Sequence, residues 1–313
     1  MLHIVTDPRH RRTLAGLLAV LILALPPAAS AHGGASAPAA TDGRAVVRSI
    51  APPIGGLSVE VLDGDQSLWI AAERGSTVVV FGLAGEPFLR LVRGRVEVND
   101  RSAEAHLLRT ADSRVAMSTD PRSPPRWRPI GEADHLQWHE HRLAAPLGSW
   151  QVRVSVNGRV ASIAGVHLRG PGPPLGALLL AVAALAVLGT LLPWTGIPCV
   201  VSFAAMLVAA VGGGFAGPHT PAARWSAVAG VVIAVVIVAA ATSATPTRHR
   251  PWVAGGIGVT SAFLAAAQLA VLAKPYVNSA LAATLARGLV VVAIGVGLGV
   301  AGAALRRRPW RAW

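Results

Sequence analysis

Residues 171–192, PGPPLGALLLAVAALAVLGTLL, begin with a Pro/Gly link and continue through 18 residues without a charge. That is close to the ~20 apolar residues an α-helix needs to cross the hydrocarbon core of a bilayer. Outward from this stretch the chain falls into two halves. Almost everything from Leu175 to Leu305 is apolar, and no aspartate or glutamate occurs after Glu140. The predicted fold class is therefore β plus membrane α, an extracytoplasmic β-sandwich followed by a five-helix transmembrane bundle. The predicted limits are a cleavable signal peptide at 1–31, a flexible arm at 32–44, the β domain at 45–169, a linker at 170–174, five helices within 175–305 and a basic tail at 306–313.

The five apolar stretches are about Leu175 to Leu192, Ile197 to Ala216, Trp225 to Ser243, Trp252 to Ala273 and Ala282 to Leu305. If the polar half is exported, Arg248-His249-Arg250 and Arg306-Arg307-Arg308 fall in the cytoplasm, while the outer loops carry only Arg224 and Lys274. This obeys the positive-inside rule, and Trp194, Trp225, Trp252 and Trp310 near helix ends fit an interfacial belt. The expected location is the plasma membrane, with the lipid bilayer as first partner. Pumps place ionisable groups at mid-membrane depth; here no carboxylate is present, and Arg287 is expected to snorkel to the outer interface. Cys199 and Met206 read as packing. The glycines at 212–214, 255–256, 295, 297, 299 and 302 read as close helix contacts within the bundle or between copies in a homo-oligomer.

The chain is 53% hydrophobic and 14% charged, against about 25% charged for an ordinary soluble domain. Its net charge of +13 sits in the signal region and beside the membrane segments, because residues 32–170 carry 16 arginines against 14 acidic residues. No basic stripe interleaves with aromatics, so nucleic-acid binding is excluded. The N-terminus combines Arg9, Arg11 and Arg12, an apolar run from Leu14 to Leu25, and Ala29-Ser30-Ala31. That is a secretory signal, and cleavage after Ala31 would leave His32 first.

The polar half reads as β. Leu57, Val59 and Val61 alternate with Ser58 and Glu60 before a turn at Asp63-Gly64; Thr77 to Phe81, Arg95 to Asn99 and Trp150 to Val156 repeat the pattern. Asn157-Gly158 between Trp150–Val156 and Arg159–Val166 predicts a type I′ hairpin. Many short strands with Gly and Pro turns imply an immunoglobulin-like sandwich. The half contains no cysteine, which excludes disulfides and a thiolate-ligated copper centre.

The chemistry rests on histidine. Trp138-His139-Glu140-His141-Arg142 sets two imidazoles at i and i+2, on one face of a strand about 6.6 Å apart along the chain. Two such rings can converge on an ion; His135 would share their face and Glu140 would point away. His32 as a mature N-terminus adds an amine and a ring nitrogen that together suit Cu(II). The expected metal ligands are His32, His139 and His141, the expected cofactor is copper, and the expected role is its capture or delivery. His106 and His167 are further candidate donors. A competing reading makes these histidines half-exposed residues at the mouth of the sandwich and the domain a non-catalytic recognition or scaffold module for an envelope protein. An oxidase ranks last, since no substrate cleft is identifiable. Glu86, if buried against Arg90 or Arg142, would be half of a structural pair.

The succession Ala31-His32-Gly33-Gly34, Gly85-Glu86-Pro87-Phe88-Leu89-Arg90, Val96-Glu97-Val98-Asn99, Trp138-His139-Glu140-His141-Arg142 and Trp150 with its hairpin resembles a family of actinobacterial membrane proteins. Members carry Trp-His-Asp-His-Arg, and the resemblance implies the architecture without an activity. This chain departs from the family in having Leu143-Ala144-Ala145 where a further His-Trp is usual, and Ser102-Ala103 where Ser-Pro is usual. His32 also resembles the N-terminal histidine of periplasmic copper-resistance carriers and lytic polysaccharide monooxygenases, both built on β-sandwiches.

Overall fold

The computed structural model describes residues 38–62, 66–118, 120–144, 148–191, 196–215 and 221–306. The expected signal peptide, His32, the Asp63-Gly64 turn and most of the basic tail lie outside them. The chain forms two compact units, Thr41–Gly170 and the residues from Pro171 on together with those up to Ala40.

A two-residue strand, β1 (Ala40–Thr41), falls at the boundary between the units in the chain; the first unit is built from β2 (Gly43–Ala51), β3 (Ser58–Leu62), β4 (Ser67–Ala71), β5 (Val78–Phe81), β6 (Pro87–Val92), β7 (Arg95–Asn99), a short helix α1 (Ala103–Leu107), β8 (Trp127–Glu132), β9 (His135–His139), β10 (Gly148–Val156) and β11 (Arg159–Arg169). A seven-stranded sheet runs β2-β11-β10-β5-β6-β7-β8 and a three-stranded sheet runs β3-β4-β9, with every pairing antiparallel. Period-two alternation turns one face of each strand inward. In β10, Trp150, Val152, Val154 and Val156 are buried while Gln151 and Arg153 face out. Both sheets contribute to one apolar core, in which Leu68, Ile70, Leu136 and Trp138 join Val80, Phe88, Val98 and Ile163. The Phe88 and Trp138 rings meet edge-on with centroids 6.4 Å apart, a favoured aromatic geometry.

The Asn157-Gly158 turn forms as expected. Val156 pairs with Arg159, and the two turn residues take φ of 50° and 83°, the left-handed values a type I′ turn requires. Asn157 Oδ1 also accepts the Thr77 N–H at 2.8 Å, tying the hairpin tip to the start of β5. Across the same hairpin, Trp150 lies opposite Gly165 at a β-bulge, and its indole fills the space a side chain on Gly165 would need.

The second unit holds α2 (Leu175–Leu191), α3 (Ile197–Gly214), α4 (Pro221–Ala244), α5 (Arg250–Ala266), α6 (Ala270–Ala273), a short strand β12 (Tyr276–Val277) and α7 (Ala283–Arg306). Among the described residues three helical stretches are long and apolar enough to cross a membrane: Ile197–Gly214, Arg224–Ala244 and Ala283–Arg306. The stretch expected as one span from Trp252 to Ala273 is instead interrupted, because Ala267, Gln268 and Leu269 bond back three residues instead of four, which ends the α-helical ladder. Helix α7 packs against α2, α3 and α5. The expected glycine contacts make this approach possible: a methyl added at Gly295 would stand 2.7 Å from Leu185 Cβ, at Gly297 2.6 Å from the Gly258 carbonyl, and at Gly299 2.6 Å from the Ala186 carbonyl.

Arg287, expected to snorkel towards the outer end of its helix, reaches the chain that ends and follows α6. Its guanidinium is partly buried and donates to the carbonyls of Val271 at 3.1 Å and of Lys274 and Pro275 at 2.8 Å. It thus satisfies acceptors that the end of α6 leaves open. Nearby, Asn278 donates its side-chain amide to Pro38 O and its backbone N–H to Ala39 O.

Candidate functional site around His139 and His141

Strand β9 pairs with β4, placing His139 opposite Ser67. Leu136 and Trp138 are buried on its inner side, while His139 is exposed on its outer side and His135 is partly so. The strand stops at His139. Glu140 points inward with Trp138, away from His139 as alternation has it, and it is His141 that leaves the strand, opening a 3-10 turn, His141–Ala144. The cause is the carboxylate of Glu140: fully buried, it accepts from Trp138 Nε1 at 2.9 Å, from the Arg142 backbone N–H at 3.0 Å, and from Arg142 Nε and Nη2 at 2.6 Å each. Four bonds to one side chain outweigh one more strand residue, and they bring Arg142 to the inner side with its partner. Arg142 Nη2 also reaches Phe81 O at 3.3 Å, fastening the turn to β5.

The two histidines nevertheless meet. Their ring centroids are 5.1 Å apart and the planes are inclined by 84°. With metal–nitrogen bonds of about 2.0 Å and a ring centre roughly one ångström beyond each nitrogen, two imidazoles on a tetrahedral ion have centres about 5 Å apart. His135 lies at the far end of β9, stacked on Trp69 with centroids 5.6 Å apart and hydrogen-bonded to Asp134 at 2.8 Å, a bond that holds the Asp134 carboxyl below its ordinary range. His106 hydrogen-bonds the Asp100 carbonyl at 2.8 Å. His167 sits on β11 against Gly43. None of these three joins the pair. Among the described residues, no group of three or more His, Cys, Asp or Glu side chains is arranged to hold a metal ion, and His32 lies outside them.

Behind the pair is a set of carboxylates that the sequence did not single out. Glu104, in the first turn of α1, is buried and places Oε1 3.3 Å from His141 Nδ1. Its other oxygen, Oε2, is buried without a hydrogen-bond partner. Burial raises the Glu104 carboxyl above its ordinary 4.5, the charge of Glu140 adds to this, and Arg142 and His141 oppose it. The helix that carries Glu104 is itself pinned from below. Ser102 caps it by accepting the Ala105 N–H at 3.3 Å, and its hydroxyl donates to Glu86 Oε1 at 2.7 Å, which also accepts the Glu104 N–H at 3.2 Å. Glu86 is buried but does not face Arg90, which pairs with Glu97, or Arg142, which pairs with Glu140. The sequence signal for this arrangement was local: Ser102 followed by Glu104 is a helix start. Nothing in the spacing linked it to a histidine 37 residues later. Comparison of the chain with protein-family models, with curated proteins and with solved structures finds no match.

Proposed function

We propose that the chain is a multi-pass plasma-membrane protein whose outer domain, a two-sheet, immunoglobulin-like sandwich, captures or delivers copper at His139 and His141, with His32 completing the site. The observation that carries this reading is the 5.1 Å, near-perpendicular approach of two imidazoles at the surface, one of them exposed. Imidazole nitrogen suits Cu(II), and an N-terminal amine and ring supply the donors that the described residues lack. The membrane half contributes anchoring. Five spanning segments put Arg248-His249-Arg250 and Arg306-Arg307-Arg308 on the cytoplasmic side, and no carboxylate lies among them for ion coupling.

Cu(II) titration of the full chain in detergent, with the mature N-terminus sequenced, tests the reading. Tight one-to-one binding that is lost in His139→Ala/His141→Ala and weakened in His32→Ala is expected; binding indifferent to both overturns it. The second reading, a recognition module for an envelope protein, is favoured by one observation: Trp138, Glu140 and Arg142, three of the five residues of the motif, are bonded to one another as structure. It is the reading left if copper does not bind.

A further inference from the structure

We infer that Glu104 is a positioning residue for the metal site, fixing the His141 imidazole with its proton on Nδ1 so that Nε2 is the nitrogen offered to the ion. This rests on the copper reading of His139 and His141. Three observations carry it. The Glu104 side chain is fully buried, and its Oε1 faces His141 Nδ1 at 3.3 Å while the imidazole remains 37% exposed on its other side. A carboxylate behind a ligating histidine sets its tautomer and raises its basicity, and loss of such a partner costs 10–100-fold in metal affinity.

The second observation is a balance of charges. Glu97, Asp100 and Glu140 are buried and each is paired with an arginine, Arg90, Arg128 and Arg142, whereas buried Glu86 and Glu104 have none; Glu86 Oε1 is met by Ser102 and the Glu104 N–H, and Glu104 Oε1 faces His141. Among the described residues Glu104 has His141 as its ion-pair partner, and its Oε2 is bare. An uncompensated buried carboxylate is costly. The Nδ1–H of His141 is the donor placed to answer Glu104 Oε1. The third observation is rigidity: Ser102 and Glu86 hold the backbone that carries Glu104, and Glu140 with Arg142 holds the turn that carries His141. Both partners of the bond are set by buried groups before any ion arrives.

The experiment uses the full chain in liposomes with ¹⁵N-labelled histidine. Solid-state ¹⁵N spectra of the metal-free protein, with His141 assigned by difference from His141→Gln, read which ring nitrogen carries the proton. Competition with a chromogenic chelator reads Cu(II) affinity. Wild type is expected to show Nδ1–H. Glu104→Leu is expected to lose that state and bind copper 10–100-fold more weakly. Glu104→Gln, which keeps an acceptor oxygen but not the charge, should retain Nδ1–H with a smaller loss, and it carries the test if the leucine variant does not fold. A wild-type proton on Nε2, or a folded Glu104→Leu with unchanged spectrum and affinity, overturns the inference alone. Absence of copper binding in wild type overturns the underlying reading and the inference with it.

Discussion

Replacing Glu140 by alanine removes a carboxylate that has no exposed surface and accepts four hydrogen bonds. Breaking a buried pair by deleting one partner costs about 3–5 kcal/mol, because the other charge stays in the interior alone. Arg142 keeps 18% of its side chain exposed, which sets this loss near the lower end, about 3 kcal/mol. The orphaned Trp138 indole N–H adds about 1 kcal/mol. The sum, about 4 kcal/mol, is a large share of the roughly 5–15 kcal/mol that holds a domain together. For a unit of this size it corresponds to a fall in Tm of about 15 °C. The assay is thermal unfolding of the detergent-solubilised chain followed by near-UV circular dichroism, with the metal-free wild type as reference. Glu140→Leu/Arg142→Met should lose less than Glu140→Ala, since it leaves no unpaired charge. A fall below about 4 °C in Glu140→Ala, the equivalent of about 1 kcal/mol, would refute the view that this bond set turns the chain at His139.

Three further outcomes follow from other contacts. Gly165→Ala drives a methyl into the Trp150 indole and the Val46 carbonyl; it should destabilise the outer unit by about 1–3 kcal/mol, read as a shift in the chemical-denaturation midpoint. Asp112 is held at about 2, below its ordinary 3.8, by its hydrogen bonds from Arg114. Its depressed value contributes stability that is present above pH 3.8 and is lost as the pH falls towards 2, so Asp112→Asn should lower stability slightly at neutral pH, the group being solvent-exposed, and flatten the acid limb of stability against pH in that window. Arg287→Ala leaves the carbonyls of Val271, Lys274 and Pro275 without their donor. It should lower the temperature at which the detergent-solubilised chain aggregates, and Arg287→Lys should not restore it, because one ammonium cannot reproduce the planar fork.

How far the sequence could be read depended on the range of the interaction. The Asn157-Gly158 hairpin, β7 at Arg95–Asn99 and the apolar helices Ile197–Gly214, Pro221–Ala244 and Ala283–Arg306 are written in neighbouring residues, and each formed close to where its pattern lay. The outcome at Trp138–Arg142 was different. Alternation predicted a strand running through His141 with Glu140 on the face away from the histidines; Glu140 keeps that face, but a single buried carboxylate with four bonds from Trp138 and Arg142 ends the strand at His139, and no local pattern records where such a group will find its donors. The partners of Arg287 were hidden for a related reason: its carbonyl acceptors belong to a helix end that periodicity did not foresee, inside an apolar run. Glu104 was out of reach because its relation to His141 exists only once α1 and the turn after β9 meet. The residues that needed the fold to be found were thus the polar ones that sit inside it.

Helix α7 is the element on which α2, α3 and α5 come to rest, at glycines that only it brings to them. It also follows all three in the chain. A ribosome delivers the others first, so until α7 is made α3 has α4 and α5 to pack against but α2 lacks the helix it mainly packs on. Assembly of the helical unit is therefore a late event, governed by when its final member arrives and not by how readily the earlier ones coil. Any factor that shields small-residue helix faces during insertion would act in that interval, and a ribosome stalled short of Gly295 would leave a product in which α3 can meet α4 and α5 while α2 lacks its main partner.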